Sequence, residues 1–94
     1  MKKIRKHSFQ DKEYKIRWYE PKDFDFPVNG CCSDPRKNNR EIHIKPDQKE
    51  KILLEILIHE GIHASQWHTS EEYVDKTGKD LADFLWKIGF RLKK

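Results

Sequence analysis

Ninety-four residues with 35% hydrophobic and 38% charged side chains make one small domain, 1–94, with a modest core. There is room for two helices and a small sheet, and for nothing as large as the deep cleft of a full-sized protease. The net charge of +4 gathers at the chain ends, at Lys2, Lys3, Arg5 and Lys6 and at Arg91, Lys93 and Lys94, not along one stripe. No nucleic-acid motif accompanies it, so a nucleic-acid partner is disfavoured. No apolar run reaches transmembrane length and no apolar core follows the charged amino terminus, so neither a membrane partner nor a secretory leader is expected, and the expected location is cytoplasmic.

The amino-terminal segments alternate. Tyr14, Ile16 and Trp18 interleave with Lys15, Arg17 and Tyr19, which predicts strands over Lys3 to Phe9 and Tyr14 to Tyr19, joined by a turn at Gln10-Asp11-Lys12-Glu13. From Pro21 to Asn39 the density of Pro, Gly, Asp and Asn predicts a long irregular loop. Within it Cys31 and Cys32 are adjacent, a spacing that disfavours a disulfide between them, so both are expected as reduced thiols; without a second cysteine pair they are weak metal candidates. Arg40-Glu41-Ile42-His43-Ile44 predicts a third short strand, ended by Pro46. The predicted class is α+β: a small antiparallel sheet of about three strands within residues 3–44, then two helices.

Asp47, with Glu50 three residues on, reads as an N-cap with a capping box for a helix from Gln48 to Ser65 or Gln66, about 27 Å long at 1.5 Å per residue. This helix holds the most apolar run of the chain, Ile52-Leu53-Leu54-Glu55-Ile56-Leu57-Ile58, and directly after it His59-Glu60-Gly61-Ile62-His63 spells HExxH. Residues four apart lie on one helix face about 6 Å apart, so His59 and His63 can offer two imidazole nitrogens to one metal ion, with Glu60 beside them as a base. A second helix is predicted from Ser70, its N-cap, to about Gly89. Val74, Leu81, Phe84, Leu85 and Ile88 fall on one face of it.

Two histidines leave a third ligand to find, because catalytic zinc commonly has three protein ligands and an open position. His68, Glu71, Glu72 and Asp75 are the candidates downstream. The chain is not a metzincin, since Gln66 stands where that pattern has glycine. Counting 100° per residue from Val74, the apolar face centres near ~330°, with Glu71 near ~60°, Asp75 near ~100° and Glu72 near ~160°. Glu71 is thus the acid nearest the buried side, although a first-turn glutamate also has an ordinary role beside the positive end of the helix dipole.

The run HEGIHASQW, followed by SEEYV and LADFLWKIGFR, resembles the small metallopeptidase-like proteins of bacteriophages and prophages, over about Arg40 to Arg91. The resemblance implies a minimal zincin-like domain of the gluzincin type, with Glu71 as third ligand and the host cytoplasm as its location. It assigns no role to the loop around Cys31.

The expected activity is zinc-dependent hydrolysis of a peptide or protein substrate. Zinc held by His59, His63 and Glu71 would activate water, Glu60 would take the proton, and Tyr73, Tyr19, His43 or His68 would be candidates to hold the oxyanion. Glu55 and Asp75 are candidates to orient ligands, though they read equally as surface acids. The strand of Ile42 and Ile44 is expected to align substrate, if it lies at a sheet edge. The alternative is a noncatalytic, zinc-stabilised regulator or adaptor that binds a host or phage protein. The presence of Glu60 argues against it, because a structural zinc site has no need of a base.

Overall fold

Gln10 and Asp11 both take positive φ, 50° and 64°, the conformation of a two-residue type I′ turn, whose twist matches that of the strands it joins. Those strands are β1 (Lys6–Phe9) and β2 (Lys12–Trp18), paired antiparallel with Phe9 opposite Lys12 and Lys6 opposite Lys15. The turn is two residues tighter than the sequence suggests, so Lys12 and Glu13 belong to the strand. The structure is a computed structural model that describes residues 1–20 and 29–92. Pro21 to Val28 of the expected loop, and Lys93 and Lys94 of the basic tail, lie outside the described residues.

The expected α+β class is present, but among the described residues the sheet is mixed and four-stranded, in the order β1-β2-β4-β3. β4 (Glu41–Ile44) runs parallel to β2, with Ile16 opposite Ile42 and Trp18 opposite Ile44. β3 (Gly30–Cys32) lies antiparallel to β4 on its other side, with Cys31 opposite His43. Two expectations change. Part of the irregular loop is a strand, and β4 is interior, so the strand of Ile42 and Ile44 is not the edge. A three-residue strand that begins with Gly among prolines and asparagines is too short to display alternation, which is why it reads as loop.

Strand alternation sends Tyr14, Ile42 and Ile44 to one face, where they are buried with Leu53 and Ala64 of the first helix. Burying a side chain such as Leu53 stabilises by about 2 kcal/mol. The phenol of Tyr14 is completely enclosed and donates to the Ser33 carbonyl at 3.4 Å; burial pushes it up to about 12. Glu41 and His43 point to the opposite face, where His43 Nδ1 meets Tyr19 Oη at 2.9 Å, His43 Nε2 meets Glu41 Oε1 at 2.9 Å, and Arg17 Nη2 donates to Glu41 Oε2 at 2.9 Å.

α1 (Glu50–Ser65) starts two residues later than the capping pattern implies, and Lys49 rather than Asp47 occupies the N-cap, without a side-chain cap. Pro46 causes the delay: Gln48 N–H donates to the Pro46 carbonyl at 2.9 Å and its side-chain amide to Asn29 Oδ1 at 3.3 Å, so a turn precedes the helix. Glu50 therefore acts by its charge in the first turn rather than by closing a capping box. α2 (Glu71–Ile88) begins as read: Ser70 Oγ accepts from Tyr73 N–H at 3.2 Å, and the helix closes on Gly89 in the left-handed conformation.

The two helices pack through Val74, Gly78 and Ala82, all buried. A Cβ added at Gly78 would stand only 3.6 Å from the His59 backbone nitrogen. Lys51 and Asp83 tie the pair at 3.0 Å. Leu81, Phe84 and Ile88, expected on the buried face, are instead 42%, 60% and 60% exposed. Among the described residues no helix is long and apolar enough to cross a membrane.

Candidate metal centre

α1 presents two faces to two neighbours. Leu53, Leu57, Glu60 and Ala64 turn toward the sheet, while the backbone at Glu55 and His59 lies against Gly78 of α2. His59 and His63, one turn apart, aim their rings toward the amino terminus of α2. Their Nε2 atoms stand 3.2 Å apart and the rings meet edge to face with centroids 4.8 Å apart.

Glu71, the first residue of α2, closes the group. Its Oε1 lies 2.9 Å from His59 Nε2 and its Oε2 lies 2.8 Å from His63 Nε2. Two imidazole nitrogens and both oxygens of one carboxylate thus converge from two helices. Converging lone pairs repel unless a proton or a metal cation lies among them. Ligand bonds of 2.0–2.1 Å at tetrahedral angles put zinc ligand atoms about 3.3 Å from one another. The observed spacings of 2.8 to 3.2 Å are a few tenths short, a difference that small rotations of the side chains absorb. The donor set therefore fits zinc. His63 and His59 side chains are 14% and 22% exposed and that of Glu71 is 70% exposed, so the group is walled on the protein side and open to solvent on the Glu71 side.

Glu60 belongs to the same neighbourhood: one oxygen of its carboxyl and one nitrogen of each imidazole all lie within 4.8 Å of one another. It differs from Glu71 in burial, with only 6% exposure. Burial pushes its carboxyl up to about 7, with the His59 imidazole opposing and the Glu71 carboxylate adding to the rise. Either carboxylate could in principle ligate, but Glu71 is already at contact distance from both rings with both oxygens, whereas Glu60 sits one step behind them.

What encloses Glu60 is the strand the sequence hid. A Cβ built on Gly30 would fall 3.0 Å from Glu60 Oε2, 3.0 Å from Ile56 Cγ2 and 3.1 Å from the His43 carbonyl oxygen. A larger residue at the start of β3 would press on the carboxyl, on Ile56 and on the His43 backbone, each of which would have to give by a few tenths of an ångström, so glycine suits the close approach here. Among the described residues β3 pairs with β4 alone, which makes it the sheet edge nearest Glu60. Cys31 and Cys32 are free thiols, as expected. Burial pushes both up, Cys32 to about 12, and the nearby Glu60 carboxylate adds to each. Shifts in this direction favour the protonated thiol, so neither is a ready-made thiolate ligand.

The remaining candidates are not gathered at the centre. His68 is exposed on the turn between the helices, away from the imidazole pair. Asp75 pairs with Lys79 at 3.1 Å, and Glu72 is exposed. Tyr19 and His43 hydrogen-bond to each other on the far face of the sheet. Tyr73 is 57% exposed.

Comparison with family models, with curated proteins and with solved structures gives no match for this chain.

Proposed function

We propose that this chain is a zinc-dependent metallopeptidase in which His59, His63 and Glu71 hold the metal and Glu60 is the base. One observation carries the reading: both oxygens of Glu71 meet the Nε2 atoms of His59 and His63, at 2.9 and 2.8 Å respectively, across two helices, with Glu60 buried behind them. When bound, zinc supplies Lewis acidity, polarising a substrate carbonyl and lowering the pKa of nearby water toward about 7.

The protein's own groups do the rest. His59 and His63 bind from one helix turn, fixed in spacing by the backbone, and Glu71 arrives from a capped helix end. Glu60 holds the proton that the attacking water gives up and returns it to the leaving amine. Its enclosure by Gly30 and Ile56 keeps the carboxyl in place without bulk solvent around it. The edge that β3 forms among the described residues, three residues long and next to Glu60, would align an extended peptide by backbone pairing. The resemblance to phage and prophage proteins supports an origin of that kind and a host-cytoplasmic location.

A noncatalytic protein that keeps zinc for stability would need the same three ligands but not Glu60. Glu60→Gln separates the two readings. The expected result is full zinc content with hydrolysis of a peptide library lost; unchanged hydrolysis removes Glu60 from the mechanism, and a wild-type protein that never cleaves supports the regulator.

A further inference from the structure

The second helix has an apolar face that none of the helix and strand packing among the described residues uses. At 100° per residue from Val74, the residues buried against α1, Val74, Gly78 and Ala82, span about 0° to 80°. Thr77, Leu81, Phe84 and Ile88 span about 280° to 340° and so form a separate stripe on the same helix. Their spacing of four, three and four residues is that of the a and d positions of a heptad, the pattern of a helix that packs along another helix. Leu81, Phe84 and Ile88 are all exposed. Single exposed apolar residues are ordinary, but three large ones in heptad phase on one stable helix make a contiguous patch.

Charge identifies the occupant. Beside the stripe, on the side away from α1, stand Asp80 and Lys87, seven residues apart and both exposed. When two copies of α2 lie antiparallel with Leu81 of each layered on Phe84 of the other, Ile88 layers on Thr77. Asp80 of each copy then faces Lys87 of the other, twice over about the two-fold axis. A parallel pair sets Asp80 toward the position of Leu85, which gives it no cation. Among the described residues of one chain Asp80 and Lys87 are engaged in i, i+4 pairs, with Lys76 at 3.6 Å and Asp83 at 3.0 Å. Exposed pairs of this kind are weak and free to exchange partners.

We infer that the face of α2 carrying Leu81, Phe84 and Ile88 binds the same face of a second copy, antiparallel, in a symmetric dimer. The interface is independent of the metal centre. A single helix stripe falls below the ~800 Å² per partner of a standard stable interface, so the dimer is of the micromolar class.

Sedimentation equilibrium of the full chain tests this. Wild type is expected to be dimeric at about 100 μM and to dissociate on dilution to about 1 μM, the range that a sub-standard interface implies. Asp80→Lys alone sets lysine against lysine, and Lys87→Asp alone sets aspartate against aspartate. Each variant is therefore expected to be monomeric at concentrations where wild type is paired. Their equimolar mixture restores both contacts and is expected to form a heterodimer. Phe84→Glu is expected to be monomeric with an unchanged circular dichroism spectrum. A wild type that stays monomeric overturns the inference. So does a dimer that either charge reversal or Phe84→Glu leaves intact, and so does a mixture of the two reversals that fails to associate.

Discussion

Replacing Glu71 by Gln separates a metal ligand from a helix-dipole residue. The substitution keeps side-chain shape and nearly the same helix propensity. If Glu71 served only the amino-terminal dipole of α2, its loss would cost about 0.3–1 kcal/mol whether or not zinc is present, the usual worth of an exposed first-turn acid. Its side chain is 70% exposed, so the lower end applies in metal-free protein. As a ligand it has a second, conditional effect. Zinc at a thousand times its dissociation constant stabilises the folded state by about 4 kcal/mol, which for a domain of this size raises the melting temperature by roughly 15–30 °C. Removing one of three ligands weakens binding by more than the 10–100-fold typical of outer-shell partners, so at least about 2.7 kcal/mol of that gain disappears. The assay is thermal and urea unfolding followed by circular dichroism, for wild type and Glu71→Gln, in chelator and in buffered zinc. The expected pattern is near-coincident curves in chelator and widely separated curves in zinc. Equal gains from zinc in the two proteins, or no gain in wild type, refute the reasoning.

Three other perturbations probe the scaffold around the centre. Gly30→Ala puts a Cβ 3.0 Å from Glu60 Oε2 and 3.1 Å from a backbone carbonyl; it is expected to lower stability by about 1–3 kcal/mol in urea unfolding, as overpacking does, and to lower hydrolysis further by displacing the base. Gly78→Ala meets its neighbours at 3.6 to 3.7 Å, ordinary contact distance, and removes a helix-interior glycine, so a gain of up to about 1 kcal/mol is expected in the same measurement; a loss would mean that the helices are packed more tightly than the distances indicate. Cys32, pushed from 9.0 to about 12 by burial, carries on the order of a thousand-fold less thiolate than an ordinary cysteine at pH 8, because thiolate falls tenfold per unit of pKa. Iodoacetamide is expected to label it at a detectable rate only when pH approaches 12 or the chain unfolds, and rapid labelling of the native protein at pH 8 would contradict the burial.

The order of helices, the α2 cap and the convergence of His59, His63 and Glu71 were legible because each depends on local chemistry. Ser70 before two glutamates is an N-cap wherever the helix packs, and His59 and His63 share a face in any helix. Glu71 could be favoured because helical phase is a local property as well. Beyond the β1–β2 hairpin, the strand pairing was not legible. That β4 runs parallel to β2, and that β3 supplies the edge, depend on where the chain travels between Tyr19 and Glu41, and no periodicity reports that path. The one available sign was Gly30 ahead of two adjacent cysteines, where a glycine can mark close backbone approach, but the surrounding Pro and Asn made a loop the simpler reading. Asp47 failed as a cap for a different reason: Pro46 shapes a turn in which the following residues are already hydrogen-bonded, so the helix cannot begin until that turn ends.

The misjudged face of α2 connects the centre with the exposed stripe. Counting large apolar residues puts the buried side near ~330°, whereas the small residues that contact α1 centre near ~40°, a difference of about 70°. Size explains which wins. Helices separated by small side chains approach to about 8 Å between axes, against about 10 Å with large ones, and Glu71 must reach both imidazoles across that gap. Turning α2 by about 70° to bury Leu81, Phe84 and Ile88 would carry a side-chain tip at a radius of about 5–6 Å through roughly 6–7 Å. The Glu71 carboxylate would then lie far outside contact with His59 and His63. One rotation of one helix therefore cannot satisfy both demands. Val74, Gly78 and Ala82 set it for the carboxylate, and the larger residues are left facing outward.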